Sequence, residues 1–194
     1  MKEGRIEAAT YTILQAIEDE DDSRKPLREG LKETPLRVAR MYKELCGGYL
    51  QDPTAMLSRT FESEVEYDGI IAEMHIPFFS LCEHHMMPFV GEAHIGYIPR
   101  NNRVLGLSKL ARLLDVFARR LQIQERLTEQ VCEALWTAKP LAPKGVIVIV
   151  EAEHFCMSMR GIQKRGVKTV TSSIRGLFYE NPAAKSEFLA LLGK

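Results

Sequence analysis

Two short stretches collect the side chains best able to do chemistry. Residues 80–88, "SLCEHHMMP", set a thiol, a carboxylate and two imidazoles side by side. Such a run is costly to bury and unneeded on a surface, because carboxylates rarely enter a core unpaired and histidine titrates near working pH. In an extended strand Cys82 and His84 would face one way, Glu83 and His85 the other. Cys82 and His85 meet only where the chain turns, and a Cys-x-x-His pair on a turn has ordinary zinc-ligand spacing.

The second stretch is "EHFCMSMR", residues 153–160. Read as extended chain, it places His154, Cys156, Ser158 and Arg160 on one face and Phe155, Met157 and Met159 on the other. Packing explains the apolar face but not its opposite, which asks for a polar site. Cys82, His85 and Cys156 then make three protein ligands with one position open. That is the pattern of a catalytic zinc, whose bound water ionises near neutrality. His84 and His154 remain as non-ligand imidazoles suited to moving protons. A Cys82–Cys156 disulfide would leave His84, His85 and His154 unexplained. Cys46, at a helix end, and Cys132, beside an apolar stripe, read as packed thiols, and His75 and His94 as structural or surface residues.

The elements that must position these residues follow from hydrophobic spacing. Ile6, Ala9, Ile13, Leu14 and Ile17 fall at helical intervals over residues 5–18, and the charged run "EDEDDSRK" ends that helix. A second helix opens at Thr34 with Pro35 in its first turn and stops at Gly47-Gly48. Asp52-Pro53 opens a short third. "IIAEMHIPFF" and "FVGEAHIGYIP" read as strands on either side of the first motif. Helices over 107–121 and 125–138 come next. The β-branched run Val146–Val150 suggests a central strand leading into the second motif, with "KTVTSSIRGLF" as its partner. Asn181-Pro182 caps a last helix. The class is α+β, with an N-terminal helical segment over residues 1–60 and a sheet-bearing domain over 61–194.

The 194 residues are 45% hydrophobic and 27% charged, enough for a real core. Twenty-six basic residues balance 26 acidic ones, which argues against bulk attraction to nucleic acid or an anionic membrane. No apolar run approaches the ~20 residues of a membrane helix, and the start "MKEGRIEAAT" lacks the apolar core of a secretory signal. Four cysteines without framework spacing then read as reduced thiols in a cytoplasmic protein.

Taken together, "SLCEHHMMPFVGEAHIGYIP", "GLSKLARL", "QIQERLT" and "EHFCMSMRG" resemble the zinc-dependent GTP cyclohydrolase I family. The resemblance runs in order from Thr34 to Phe188, and the first thirty residues match only as a helical leader. It implies a tunnelling fold, with helices packed on one side of antiparallel sheets that join into a barrel on oligomerisation. It also implies a homodecamer of two facing pentamers with active sites between subunits. The reaction implied is conversion of GTP and water to 7,8-dihydroneopterin triphosphate with release of formate, the first step toward folate and other pterins. Water activated at the zinc would add to C8 of guanine, protonated at N7.

Carried over by position, Cys82, His85 and Cys156 match the zinc ligands and His84 and His154 the catalytic histidines. Ser108 matches the serine tied to the later proton traffic of the ribose rearrangement. Glu125 matches the carboxylate that accepts hydrogen bonds from the N1 and 2-amino edge of guanine, which adenine cannot supply, and Gln124 is its neighbour. Arg37, Arg40, Lys109, Arg112 and Arg160 match phosphate-binding positions, suited to a triphosphate by their charge and, for arginine, by forked contacts. The short leader lacks the regulatory extension of some members, so a feedback regulatory partner is not expected. Two other readings use the same residues: a non-catalytic zinc-bearing scaffold with a closed four-ligand site, and a related cyclohydrolase with another pterin product.

Overall fold

The computed structural model describes residues 2–18 and 26–193, so most of the "EDEDDSRK" run lies outside the described residues. The chain divides into two compact units, Met1–Gly47 and Gly48–Lys194. The first contains helices α1 (Glu3–Glu18) and α2 (Thr34–Leu45), which pack on one another. Lys43 Nζ donates to Glu3 Oε2 at 3.2 Å between them. Pro35 stands in the first turn of α2, where its fixed φ suits the helix and a missing N–H costs nothing.

The second unit opens with α3 (Pro53–Leu57), whose cap Asp52 accepts a hydrogen bond from the Thr54 N–H at 2.9 Å. This helix packs on elements of the second unit, so the division falls at Gly47–Gly48, ahead of the expected boundary near residue 60. There follow strands β1 (Thr60–Glu62), β2 (Ile71–Cys82), β3 (Pro88–Ile98) and β4 (Arg103–Leu105). Helix α4 (Ser108–Ala118), strand β5 (Leu121–Gln122) and helix α5 (Gln124–Trp136) come next. Strand β6 (Gly145–His154), the single turn α6 (Phe155–Ser158), strand β7 (Lys168–Gly176) and helices α7 (Leu177–Glu180) and α8 (Pro182–Leu191) complete the chain.

β1 pairs with β4, and the main sheet has the order β5-β2-β3-β6-β7. It is antiparallel except at β5, whose two residues run parallel to the end of β2, Leu81 opposite Leu121 and Cys82 opposite Gln122. β6 explains the layering. Val146, Val148, Val150 and Ala152 join one core with Leu113 and Leu114 of α4 and Leu127 and Val131 of α5. Ile147 and Ile149 face the other way into a second core with Phe178 and Phe188. Helices therefore cover both faces of this strand, not one as the family resemblance implied. A strand apolar on both faces must be covered on both.

One glycine fixes how closely the central strands approach. A Cβ at Gly91 of β3 would stand 1.8 Å from the Glu151 carbonyl oxygen and 2.7 Å from the Ala152 Cα on β6. The strand ending in the second motif thus lies against backbone that admits no side chain.

Candidate active site and metal centre

The β2–β3 hairpin makes the turn that a Cys-x-x-His pair requires. The Met86 N–H donates to the Cys82 carbonyl at 2.7 Å, and the Cys82 N–H to the Met87 carbonyl at 2.8 Å. Met86 takes the left-handed backbone conformation, φ 54°, to close it. Cys82 Sγ consequently lies 3.8 Å from His85 Nδ1 and 3.9 Å from His84 Nδ1. The sulfur is buried at the strand end, whereas both imidazoles are exposed.

The second half of the site departs from the extended reading. β6 pairs with β3 only as far as His154, opposite Phe89. The β3 strand ends one residue beyond, at Pro88, and the chain after His154 winds into α6. Ser158 is buried while Arg160 is exposed, so the single polar face read from the sequence does not form. Cys156 nevertheless reaches the hairpin: the ligand atoms of Cys82, His85 and Cys156 all lie within 4.8 Å of one another.

Two thiols and an imidazole gathered this closely form the soft and borderline donor set that suits zinc. Burial, then the neighbouring Cys82 sulfur, push the Cys156 thiol above its ordinary value. A cation between the two sulfurs would offset what disfavours charge on Cys156, so the residues present fit the metal. Arg160 NH1 lies 2.8 Å from His85 Nε2, which leaves Nδ1 toward the sulfurs.

His154 is set apart from this cluster. Its ring stacks on that of buried Phe89, centroids 4.7 Å apart and planes 4° from parallel. Its Nε2 lies 2.8 Å from Gln124 Oε1. Burial lowers its pKa, and the Glu125 carboxylate is near enough to oppose that shift. Gln124 and Glu125 open α5, immediately after the short parallel pairing that joins β5 to Cys82. That pairing brings "QIQERLT" to the end of β2.

Gln124, expected beside Glu125 as a substrate contact, is 1% exposed and its side-chain amide is engaged within the chain. Glu125 is exposed in the first turn of α5. Ser108, Lys109 and Arg112 lie at the start of α4, Ser108 and Arg112 exposed. Among the described residues, no hydrogen bond or ion pair joins these side chains to the cysteine–histidine cluster. Arg37 and Arg40 are exposed on α2 of the first unit, Arg40 within 3.9 Å of Glu3.

Glu83 stands between the cysteine and histidine donors of the hairpin. Its carboxylate pairs with Arg126 of α5, and its N–H donates to the Gln122 carbonyl at 2.9 Å. Arg126 also donates to Gln122 Oε1 at 2.8 Å and to the Leu121 carbonyl at 3.1 Å. The hairpin carrying Cys82 and His85 is thus tied to the segment carrying Gln124 and Glu125. A second donor group, His75, Glu92 and His94, is occupied by bonds among its own members. His75 Nδ1 lies 2.7 Å from Glu92 Oε2, and the His75 N–H donates to His94 Nδ1 at 3.1 Å, at a bulge in β2.

Residues 6–193 match the GTP cyclohydrolase I family. The GTP cyclohydrolase 1 of Desulforamulus reducens is 51% identical over 190 residues, covering 98% of this chain and 97% of that protein. The GTP cyclohydrolase 1 of Carboxydothermus hydrogenoformans is 49% identical over 189 residues, covering 97% and 94%. That of Mycolicibacterium paratuberculosis is 50% identical over 191 residues, covering 98% and 89%. With the cysteine–histidine cluster in place and the match running almost end to end, this chain belongs to the GTP cyclohydrolase I family.

Proposed function

We propose that the protein is a zinc-dependent GTP cyclohydrolase I. It opens the imidazole ring of guanine by hydrolysis, releases formate and rearranges the remainder to 7,8-dihydroneopterin triphosphate. The observation that carries the reading is the three-donor cluster of Cys82, His85 and Cys156 beside two imidazoles that the cluster does not need. A structural zinc site would be closed by a fourth ligand. Here His154 Nε2 is held by Gln124, so its place in the protein suits proton transfer better than ligation.

Cys82, His85 and Cys156 would hold the zinc, which when bound would supply Lewis acidity. The chain's own residues do the rest. Glu125 orients guanine by accepting from its N1 and 2-amino hydrogens, and its place near His154 sets the base beside that imidazole. His84 and His154 give and take the protons of ring opening and formate release, and Ser108 serves the later ribose rearrangement. Lys109, Arg112 and Arg160, with Arg37 and Arg40, counter the charge of the triphosphate.

The same reading takes the protein to be a cytoplasmic homodecamer of two pentamers that acts at the first step of folate synthesis. Strand β7, nine residues long, has a sheet partner on one side only among the described residues, and such an edge favours pairing with another copy. No helix of the described residues is long and apolar enough to cross a membrane. Incubation with GTP, following formate and the fluorescent oxidised pterin, tests the activity. Mass spectrometry of the product separates 7,8-dihydroneopterin triphosphate from the product of a related cyclohydrolase.

A further inference from the structure

Gln124 is buried at the start of α5, yet each hydrogen-bonding atom of its side-chain amide has a partner. Its Nε2 lies 3.0 Å from the Val150 carbonyl oxygen, 2.9 Å from the Thr169 carbonyl oxygen and 3.1 Å from Thr171 Oγ1. Carbonyl oxygens only accept, so the amide nitrogen must face β6 and β7. Turning the amide over would set its oxygen against two others. The hydroxyls agree with this orientation. Thr128 Oγ1 donates to the Gln124 backbone carbonyl at 2.8 Å, which uses its one proton. Thr171 must then donate in the 2.6 Å contact between the two threonines, leaving its lone pairs for Gln124.

With the nitrogen fixed, Gln124 Oε1 is the atom that meets His154 Nε2 at 2.8 Å, and an amide oxygen has no hydrogen to give. The imidazole must carry its hydrogen on Nε2, which leaves the lone pair of the neutral ring on Nδ1. Stacking on Phe89 holds the ring plane, and turning the ring over within that plane would set the carbon Cε1 in place of Nε2 and lose the bond to the amide oxygen.

We infer that Gln124 is a positioning residue that locks His154 in the Nε2–H tautomer, so that Nδ1 is the nitrogen that exchanges protons with the substrate. The inference rests on the cyclohydrolase reading for the substrate and on the hydrogen-bond geometry alone for the tautomer. It gives Gln124 a part in the reaction without contact to GTP. Three elements impose the constraint: α5 supplies the amide, β6 and β7 the acceptors that orient it.

The test uses zinc-loaded protein carrying 15N-labelled histidine, with long-range 1H–15N correlation read at His154 and turnover measured in parallel. In the unmodified protein the expected signature is a protonated Nε2 and a bare Nδ1. A protonated Nδ1 would overturn the inference whatever the activity. In Gln124→Met, which keeps the volume and removes the amide, the expected signature is a mixture of tautomers. With it go a kcat lowered ~100-fold, the lower end of what a positioned proton-transfer group contributes, a KM for GTP near the original and full zinc content. Unchanged kcat, or an unchanged His154 signature, would overturn the positioning role. If the variant does not fold, the spectrum of the unmodified protein still decides the tautomer. Nε2–H with no turnover of GTP would overturn the function reading and with it the proton-transfer role, while the tautomer assignment stood.

Discussion

Cys156 and His154 are two residues apart, yet the sulfur reaches Cys82 and His85 while the imidazole stacks on Phe89 and bonds Gln124. Their substitutions should separate accordingly. Cys156→Ala is expected to lose both bound zinc and turnover. His154→Ala should keep zinc near one equivalent and lose turnover by ~100-fold or more. Metal analysis beside kinetics checks the pair, and equal zinc loss in both would mean that ligand and proton carrier had been exchanged. Glu125 belongs to the same scale. Removing a charged acceptor of hydrogen bonds costs about 1.5–3 kcal/mol, so Glu125→Ala should weaken GTP binding roughly 10- to 100-fold with zinc unchanged. Unaltered affinity would remove its role toward guanine.

Among elements, the hairpin turn was legible because Cys-x-x-His spacing demands one, and the structure closes it at Met86. The turn after His154 was not. Alternation of polar and apolar residues continues through "HFCMSMR", but β3 runs out at Pro88, opposite the residue after His154, and pairing stops there. Strand extent depends on the partner, which local pattern does not contain. Glu83 and Gln124 were opaque for the same reason. Arg126 meets Glu83 across 43 positions, and the acceptors of Gln124 come from β6 and β7. Arg126→Ala should loosen the hairpin that carries Cys82 and His85. Losing such outer support typically costs 10- to 100-fold in metal affinity, measurable by competition with a chelating dye. Affinity equal to that of the unmodified protein would leave Arg126 a surface residue.

Across the molecule, the two cores on either side of β6 depend on strands that approach without intervening side chains. Gly91→Ala would drive a methyl group into the Glu151 carbonyl, and overpacking of this kind costs about 1–3 kcal/mol. The expected result is a lower midpoint of thermal unfolding, with zinc binding weakened secondarily because β6 carries the chain into Cys156. A midpoint equal to the original would show that β6 moves aside at little cost. The α+β class and most element positions were legible from periodicity. The cover on the second face was not, because α7 and α8 reach β6 through Phe178 and Phe188 from a distant part of the sequence.

The most direct measurement of the central claim follows GTP, formate and pterin together in purified protein, with and without a metal chelator. The account predicts one formate for each fluorescent pterin formed after oxidation, loss of both on chelation and recovery on adding zinc. Zinc-loaded protein that leaves GTP unconsumed, or turnover indifferent to the chelator after the metal has been shown to leave, would contradict it.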